Sequence, residues 1–191
     1  MPETPATTRD RIQQAALDLF LQRGIRKTSI DDVAERVGVT RVTVYRHFSD
    51  RQQLIEAAFL LVNEALSGIS EALTRENSLD AFLERMATEL TSVPSGFISG
   101  LAELETLHPE IHAELRRRRV ALLRAIFDEL YLRAERENRI RRGLDKEVIE
   151  ALFWEVVMTL PESPRLAALG LGTEELYTTL SSLLLYGLLD H

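Results

Sequence analysis

The stretch Arg41 to His47, RVTVYRH, carries more hydrogen-bonding groups than a helix of that length needs for its own packing. Val44, and Phe48 just beyond it, are the positions suited to burial, which leaves Arg41, Thr43, Tyr45, Arg46 and His47 as donors or cations for something outside the protein. Base edges and phosphate oxygens are acceptors of the kind such a set can meet. Arg41 can set two donors against guanine N7 and O6, and Val42 or the Thr43 methyl can pack on a thymine methyl.

A second constellation invites metal chemistry. His108 and His112 stand four residues apart among Glu105, Glu110 and Glu114. Pro109 argues against a site, because it starts a new helix and leaves His108 outside the helical register, and no HExxH element accompanies the pair. No glycine-rich phosphate loop or GxSxG elbow is present, and the chain has no cysteine, so thiol nucleophiles, disulfides and cysteine-based metal sites are excluded. Neither an enzyme, a metal nor a cofactor is expected. The run Arg116 to Arg119 wraps around a helix and reads as a solvated, ion-paired stretch.

The elements that must position the donor-rich stretch are legible around it. Ile30, Val33, Ala34 and Val37 fall at i, i+3, i+4 and i+7 of a short helix, with Ser29 as its N-cap, Asp32 at N3 and Gly38 as its stop. Thr40 is placed to cap a second helix running through Thr43 to Phe48. The result is a helix-turn-helix from Thr28 to Phe48. A scaffold helix precedes it from Thr8 to Arg23, with Ile12, Ala15, Ala16, Leu19 and Phe20 at helical spacing, Thr7 or Thr8 as cap and Gly24 as stop. A longer helix follows from Arg51 to about Leu73, capped by Ser49 or Asp50, with Gln52 or Gln53 to close a capping box. Arg51 is a cation at the positive end of that helix dipole and calls for an anion opposite, such as a DNA phosphate.

Downstream the period stays helical: Leu79 to Leu90, a break at Pro94, Phe97 to Leu107, Pro109 to about Glu137, Leu144 to Leu160 after Gly143, and Thr173 to Leu189 after a loop marked by PESP at 161–164 and by Gly170 and Gly172. No strand-like alternation or internal repeat occurs. The expectation is an all-α chain of about nine helices: a DNA-binding head over 1–50, the start of a connecting helix over 51–73, and a helical body over 51–191.

Charge fits this division. The chain of 191 residues has net charge −7, but its first sixty residues carry 9 basic against 8 acidic groups and the rest 14 against 22. An acidic body behind a basic foot suits binding DNA in one orientation, provided that Asp31, Asp32 and Glu35 lie on the far side of their helix. The start, MPETPATTRD, lacks a basic region followed by an apolar run, and no stretch reaches the roughly 18 apolar residues of a membrane span, so a cytoplasmic protein without membrane contact is expected.

IQQAALDLFLQRG at 12–24 and TSIDDVAERVGVTRVTVYRHFSDRQQLI at 28–55 together resemble the TetR family of bacterial transcriptional regulators over about residues 8–60. Val42 departs from the small residue frequent there, and Ile25 from the frequent aromatic one. Carried onto matching positions, the resemblance implies base contacts from Arg41, Val42 and Thr43 and phosphate contacts from Thr28, Ser29, Thr40, Tyr45, His47 and Arg51. It also implies a homodimer on a palindromic double-stranded operator, formed through helices 144–160 and 173–189. Val148, Leu152 and Val156, then Leu176, Leu180, Leu183 and Gly187, would supply the apolar stripes. A small-molecule effector among the body helices would release the DNA, and Met86, Phe97, Leu101, Leu104, His108, Leu122, Phe127, Trp154 and Met158 are the candidate lining of a hydrophobic pocket. These features point to a ligand-responsive regulator of the repressing kind; the alternative is a ligand-independent DNA-binding architectural or adaptor dimer.

Overall fold

The computed structural model describes residues 6–90 and 96–159, together with the single positions 175, 179 and 182. Eight α-helices lie among the described residues: α1 (Thr8–Arg23), α2 (Ile30–Val37), α3 (Arg41–His47), α4 (Arg51–Thr74), α5 (Leu79–Leu90), α6 (Phe97–Leu107), α7 (Pro109–Arg136) and α8 (Lys146–Thr159). No strand occurs among them, so the all-α expectation holds. Positions 175, 179 and 182 are helical, but the rest of the expected ninth helix, the 161–172 loop, Pro94 and the side chains of Val156 and Met158 lie outside the described residues.

Two boundaries differ from the sequence reading. The helix expected from Leu144 begins at Lys146, because the Asp145 carboxylate accepts from the backbone N–H groups of Glu147 and Val148 at 2.8 and 3.3 Å and so caps the helix after Gly143 and Leu144. The helix expected to run to Phe48 ends at His47; Phe48 takes φ −133° and ψ 119° as its C-cap and turns its ring inward, 1% exposed.

The chain divides into two compact units. One comprises residues 1–65 and 99–118, the other 66–98 and 119–191. In the first, α1 packs on α2 and α2 on α3. The apolar positions anticipated from spacing meet there: Ile12, Ala16, Leu19 and Phe20 of α1, Val33 and Ala34 of α2 and Val44 of α3 are buried, and α4 adds Leu54, Ile55, Ala58 and Phe59 to the same core. Phe20 and Phe59 stack with ring centroids 6.3 Å apart. Gly100 of α6 belongs to the same unit. A Cβ added there would meet the Leu21 side chain at 2.9 Å and the Phe59 ring at 3.4 Å, so the absent side chain permits the close approach of α6 to α1 and α4. The second unit has a core of Leu73, Leu79, Phe82, Leu130 and Ala134. Arg133, 8% exposed, closes it by donating to the Thr74 carbonyl at 3.0 Å and to the Glu76 carbonyl while pairing with Glu129 at 2.6 Å. This is how the last turn of α4 and the bend after it satisfy carbonyls that the helix leaves open.

Candidate nucleic-acid interface

Each helix of the head starts on a side-chain cap. The Thr7 hydroxyl accepts from Asp10 N–H at 3.2 Å while the Asp10 carboxylate accepts from Thr7 N–H at 2.9 Å, and Ser29 and Asp32 repeat the arrangement at 3.1 and 2.6 Å. Thr40 caps α3 through Thr43 N–H at 3.2 Å, and Asp50 caps α4 through Gln53 N–H at 2.8 Å, with the Gln53 side-chain Oε1 reaching back to accept from Ser49 N–H at 2.7 Å. Hydrogen bonds to the charged form hold three of these carboxyls below the ordinary carboxylate range. For Asp10 the main donor is the Thr7 backbone, for Asp32 the Ser29 side chain, and for Asp50 the Gln53 backbone. Gly38 closes α2 in the left-handed region, φ 77° and ψ 38°, where a Cβ would be strained.

The C-terminal ends are held from α1, a role that spacing alone did not disclose. Arg11 Nη2 donates to the Val37 carbonyl at 2.8 Å and Arg9 Nη1 to the His47 carbonyl at 2.7 Å, so two arginines of the scaffold helix cap the ends of α2 and α3. Arg9 also lies 4.5 Å over the Phe48 ring. The available signal was two cations placed two apart on a helix otherwise read for its apolar face.

The link between α1 and α2, residues 24–29, is clamped on both of its polar edges. Glu103 of α6 accepts from the N–H of Ile25 at 2.7 Å and of Arg26 at 2.9 Å. Arg51 Nη2 donates to the carbonyls of Ile25 and, at 3.2 Å, of Thr28. The Thr28 hydroxyl turns inward to the carbonyls of Gly24 at 2.9 Å and Leu19 at 3.3 Å, and the residue is 2% exposed. Gly24, at φ 93°, makes room for the clamp, since a Cβ there would stand 2.9 Å from Glu103 Oε2. The partner of the cation at the start of α4 is therefore the partial negative charge of two backbone carbonyls within the head. Glu103 was missed because its partner lies 78 residues away in the chain.

On the outer side α3 leaves Val42 77% and Tyr45 39% exposed, with Arg41 and Arg46 also exposed and Thr43 half-buried. Ser29 and Thr40 are exposed, their hydroxyls engaged in capping. His47 is half-buried, and its Nε2 is shielded from solvent without a hydrogen-bond partner. Beside Arg41 a cleft of about 580 Å³ is lined by Arg26, Lys27, Ser29, Arg41, Tyr45, Arg51, Leu107 and His108 among others, a concave face bearing four arginine and lysine side chains. One charge departs from expectation. A basic foot required Asp31, Asp32 and Glu35 on the far side of α2; Asp32 is spent on its cap, but Asp31 pairs with Arg41 at 2.8 Å. Arg41 also donates to the Tyr45 hydroxyl at 3.4 Å, and that bond, reinforced by Asp31, raises its pKa.

The candidate effector residues fall in both units. Leu101, Leu104 and His108 belong to the first; Met86, Phe97, Leu122, Phe127 and Trp154 belong to the second. Leu104 is fully buried, and His108 sits between α6 and α7, as its exclusion from the helical register required. Met86 packs against the core of the second unit. Phe127 meets Phe153 at 4.8 Å, Phe153 meets Trp154 edge-on at 5.4 Å, and Arg124 lies 5.6 Å over the Trp154 ring, whose Nε1 is buried without a partner. No group of three metal-ligating side chains occurs among the described residues, and no described helix is long and apolar enough to cross a membrane. Of the arginine run, Arg117 and Arg118 both pair with Glu114, while Arg119 lies 6.0 Å over the Phe97 ring.

Residues 12–58 match the family model of bacterial regulatory proteins, tetR family. The HTH-type transcriptional regulator TtgR of Pseudomonas putida is 33% identical over 78 residues, 41% of this chain and 37% of that protein. The first curated relatives are thus matched over little more than a third of their length. The HTH-type transcriptional activator FasR of Mycolicibacterium smegmatis is 28% identical over 156 residues, 76% of this chain and 71% of that protein. A solved structure from Rhodococcus sp., described as a TetR-family transcriptional regulator, superposes with a TM-score of 0.61 at 26% identity, covering 91% of this chain and 94% of that one.

Proposed function

We propose, for a chain whose head is that of the TetR family, that it is a cytoplasmic transcriptional repressor that binds a palindromic operator as a homodimer and leaves it when a small hydrophobic effector binds. The observation that carries the reading is the contrast between the two sides of α3. Val44 and the following Phe48 anchor it, caps hold both ends, and Arg41, Val42 and Tyr45 stand outward beside a cationic cleft. A helix capped at both ends, with its N-terminal side chains exposed on the outer side, is the arrangement that enters a major groove. Arg41, Val42 and Thr43 read bases. Thr40 and Tyr45 hold phosphates, Ser29 does so when its hydroxyl turns from Asp32, and Arg46 adds charge. Thr28 and Arg51 act from behind by shaping the loop that presents Ser29, and His47, whose Nε2 is shielded, has only Nδ1 to offer a phosphate.

One recognition helix reads too few base pairs to find a site in a genome, so a two-fold dimer is required. Leu144, Val148 and Leu152 recur every four residues and are 40%, 55% and 58% exposed, an apolar stripe at and just before α8 that a second copy would cover. Together with 173–189 this stripe would build the dimer of the 51–191 body. Repression needs only occupancy of the operator. The effector acts by binding more tightly to the conformation that does not fit DNA, and the aromatic cluster of Phe127, Phe153 and Trp154 supports an apolar, partly aromatic ligand.

Sedimentation at micromolar concentration tests the dimer, and a thermal-shift screen of apolar and polar small molecules, followed by release of bound DNA, tests the effector. A dimer stabilised by apolar compounds that also release DNA is expected. A monomer, or stabilisation by strongly polar compounds alone, would contradict the reading.

A further inference from the structure

The acidic group on the DNA-facing side of the head is unexpected. Asp31 lies in the first turn of α2, yet capping is done by Ser29 and Asp32, so Asp31 is left over for another task. Its Oδ2 accepts from Arg41 Nη1 at 2.8 Å, while Arg41 Nη2 donates to the Tyr45 hydroxyl at 3.4 Å and the guanidinium lies 5.4 Å from the Tyr45 ring centre. The two side chains of the ion pair are 56% and 63% exposed, so an approaching molecule can reach both. A carboxylate there weakens attraction to any polyanion.

We propose that Asp31 is a specificity-determining residue, which makes Arg41 favour the neutral acceptors of a guanine edge over the anionic oxygens of phosphate. The inference rests on the operator-binding reading above. The two terminal nitrogens of a guanidinium carry two hydrogens each. With one hydrogen on Asp31 and another on Tyr45, each nitrogen keeps a second for guanine N7 and O6, so a base edge shares Arg41 with Asp31 without repulsion. A phosphate brings a full negative charge to within a few ångströms of the Asp31 carboxylate and is opposed by it. Asp31 therefore penalises off-register and non-cognate binding, in which Arg41 meets backbone, more than cognate binding.

The test compares wild type, Asp31→Asn and Asp31→Glu on two duplexes of equal length over a range of salt: a cognate site selected from random DNA with the wild type, and a scrambled one. For Asp31→Asn the affinity for scrambled DNA should rise about threefold to fivefold, the scale of an exposed ion pair, with a salt slope steeper by about 1. Cognate affinity should change by less than about twofold, so the specificity ratio falls, and Asp31→Glu, which keeps the charge, should retain most of it. Equal gains on both duplexes would overturn the proposal. A loss confined to the cognate duplex would also overturn it and assign Asp31 to orienting Arg41. If the wild type itself prefers no sequence, the operator-binding reading has failed, which is a distinguishable result.

Discussion

Glu103→Ala is the perturbation that the architecture of the head makes most informative. One carboxylate on α6 holds two backbone N–H groups of the α1–α2 link, at 2.7 Å to Ile25 and 2.9 Å to Arg26. Ile25 is fully buried and Arg26 exposed. A net hydrogen bond to a charged group is worth about 1.5–3 kcal/mol when shielded, and much less when open to solvent. Counting the Ile25 bond in full and the Arg26 bond as a minor addition gives a loss of about 2–3 kcal/mol for the alanine variant. In a chain of this size that lowers the melting temperature by about 4–12 °C. Glu103→Gln keeps one acceptor oxygen and should lose about 1 kcal/mol, or about 2–4 °C. Thermal unfolding followed by far-ultraviolet circular dichroism measures both, with Thr106→Ala, an exposed change on the same helix, as control. A Glu103→Ala melting temperature within about 1 °C of wild type, or no lower than that of the control, would refute the clamp as a source of stability.

Arg51→Ala should destabilise the head by about 1–3 kcal/mol, since it strands two loop carbonyls, and should weaken DNA binding alike on every sequence. Arg51→Lys should restore less than half of the stability, because a single ammonium on a flexible stem does not reproduce the guanidinium fork; a change in sequence preference in either variant would place Arg51 at the bases instead. Arg41→Ala should loosen preference at one base pair of the operator, by roughly fivefold to a hundredfold, in competition titrations against single-position variants. Acid should unfold the head through its caps. Asp10, Asp32 and Asp50 titrate below the ordinary carboxylate value of 3.8, so their stabilisation is present above that value and lost as pH falls through their lower folded values. Melting temperature against pH should bend downward below about pH 4, and Asp32→Asn should flatten that limb.

Much of the head was readable because its signals are local. Ser29 with Asp32, Thr40, and the glycines at 24 and 38 each act within four residues and stand where spacing put them, while for α4 spacing left Ser49 or Asp50 and Gln52 or Gln53 open and the structure uses Asp50 and Gln53. Groups that act across the fold were not readable. Arg9 and Arg11 reach carbonyls 38 and 26 residues away, and Glu103 and Arg51 meet on one loop from 78 and 26 residues away. Arg51 was recognised as a cation needing a counter-charge, but a dipole argument does not say whether phosphate or carbonyl oxygen supplies it. Asp31 illustrates the same limit. Its helical position alone left open which side it takes, and the packing of α2 on α3 brings it to Arg41 while it stays exposed. The candidate effector residues were chosen by type and period, and those two criteria do not separate a core side chain such as Met86 from one that lines a cavity.

On the reading proposed above, two copies of α3, held in register by one dimer, read a two-fold symmetric site. Selection of bound duplexes from random DNA, with the protein stoichiometry of the complex determined alongside, tests it most directly. The expected result is an inverted repeat with half-sites about one helical turn, or a multiple of it, apart and two protomers bound. Enrichment of sequences without two-fold symmetry, or no enrichment at all, would contradict it.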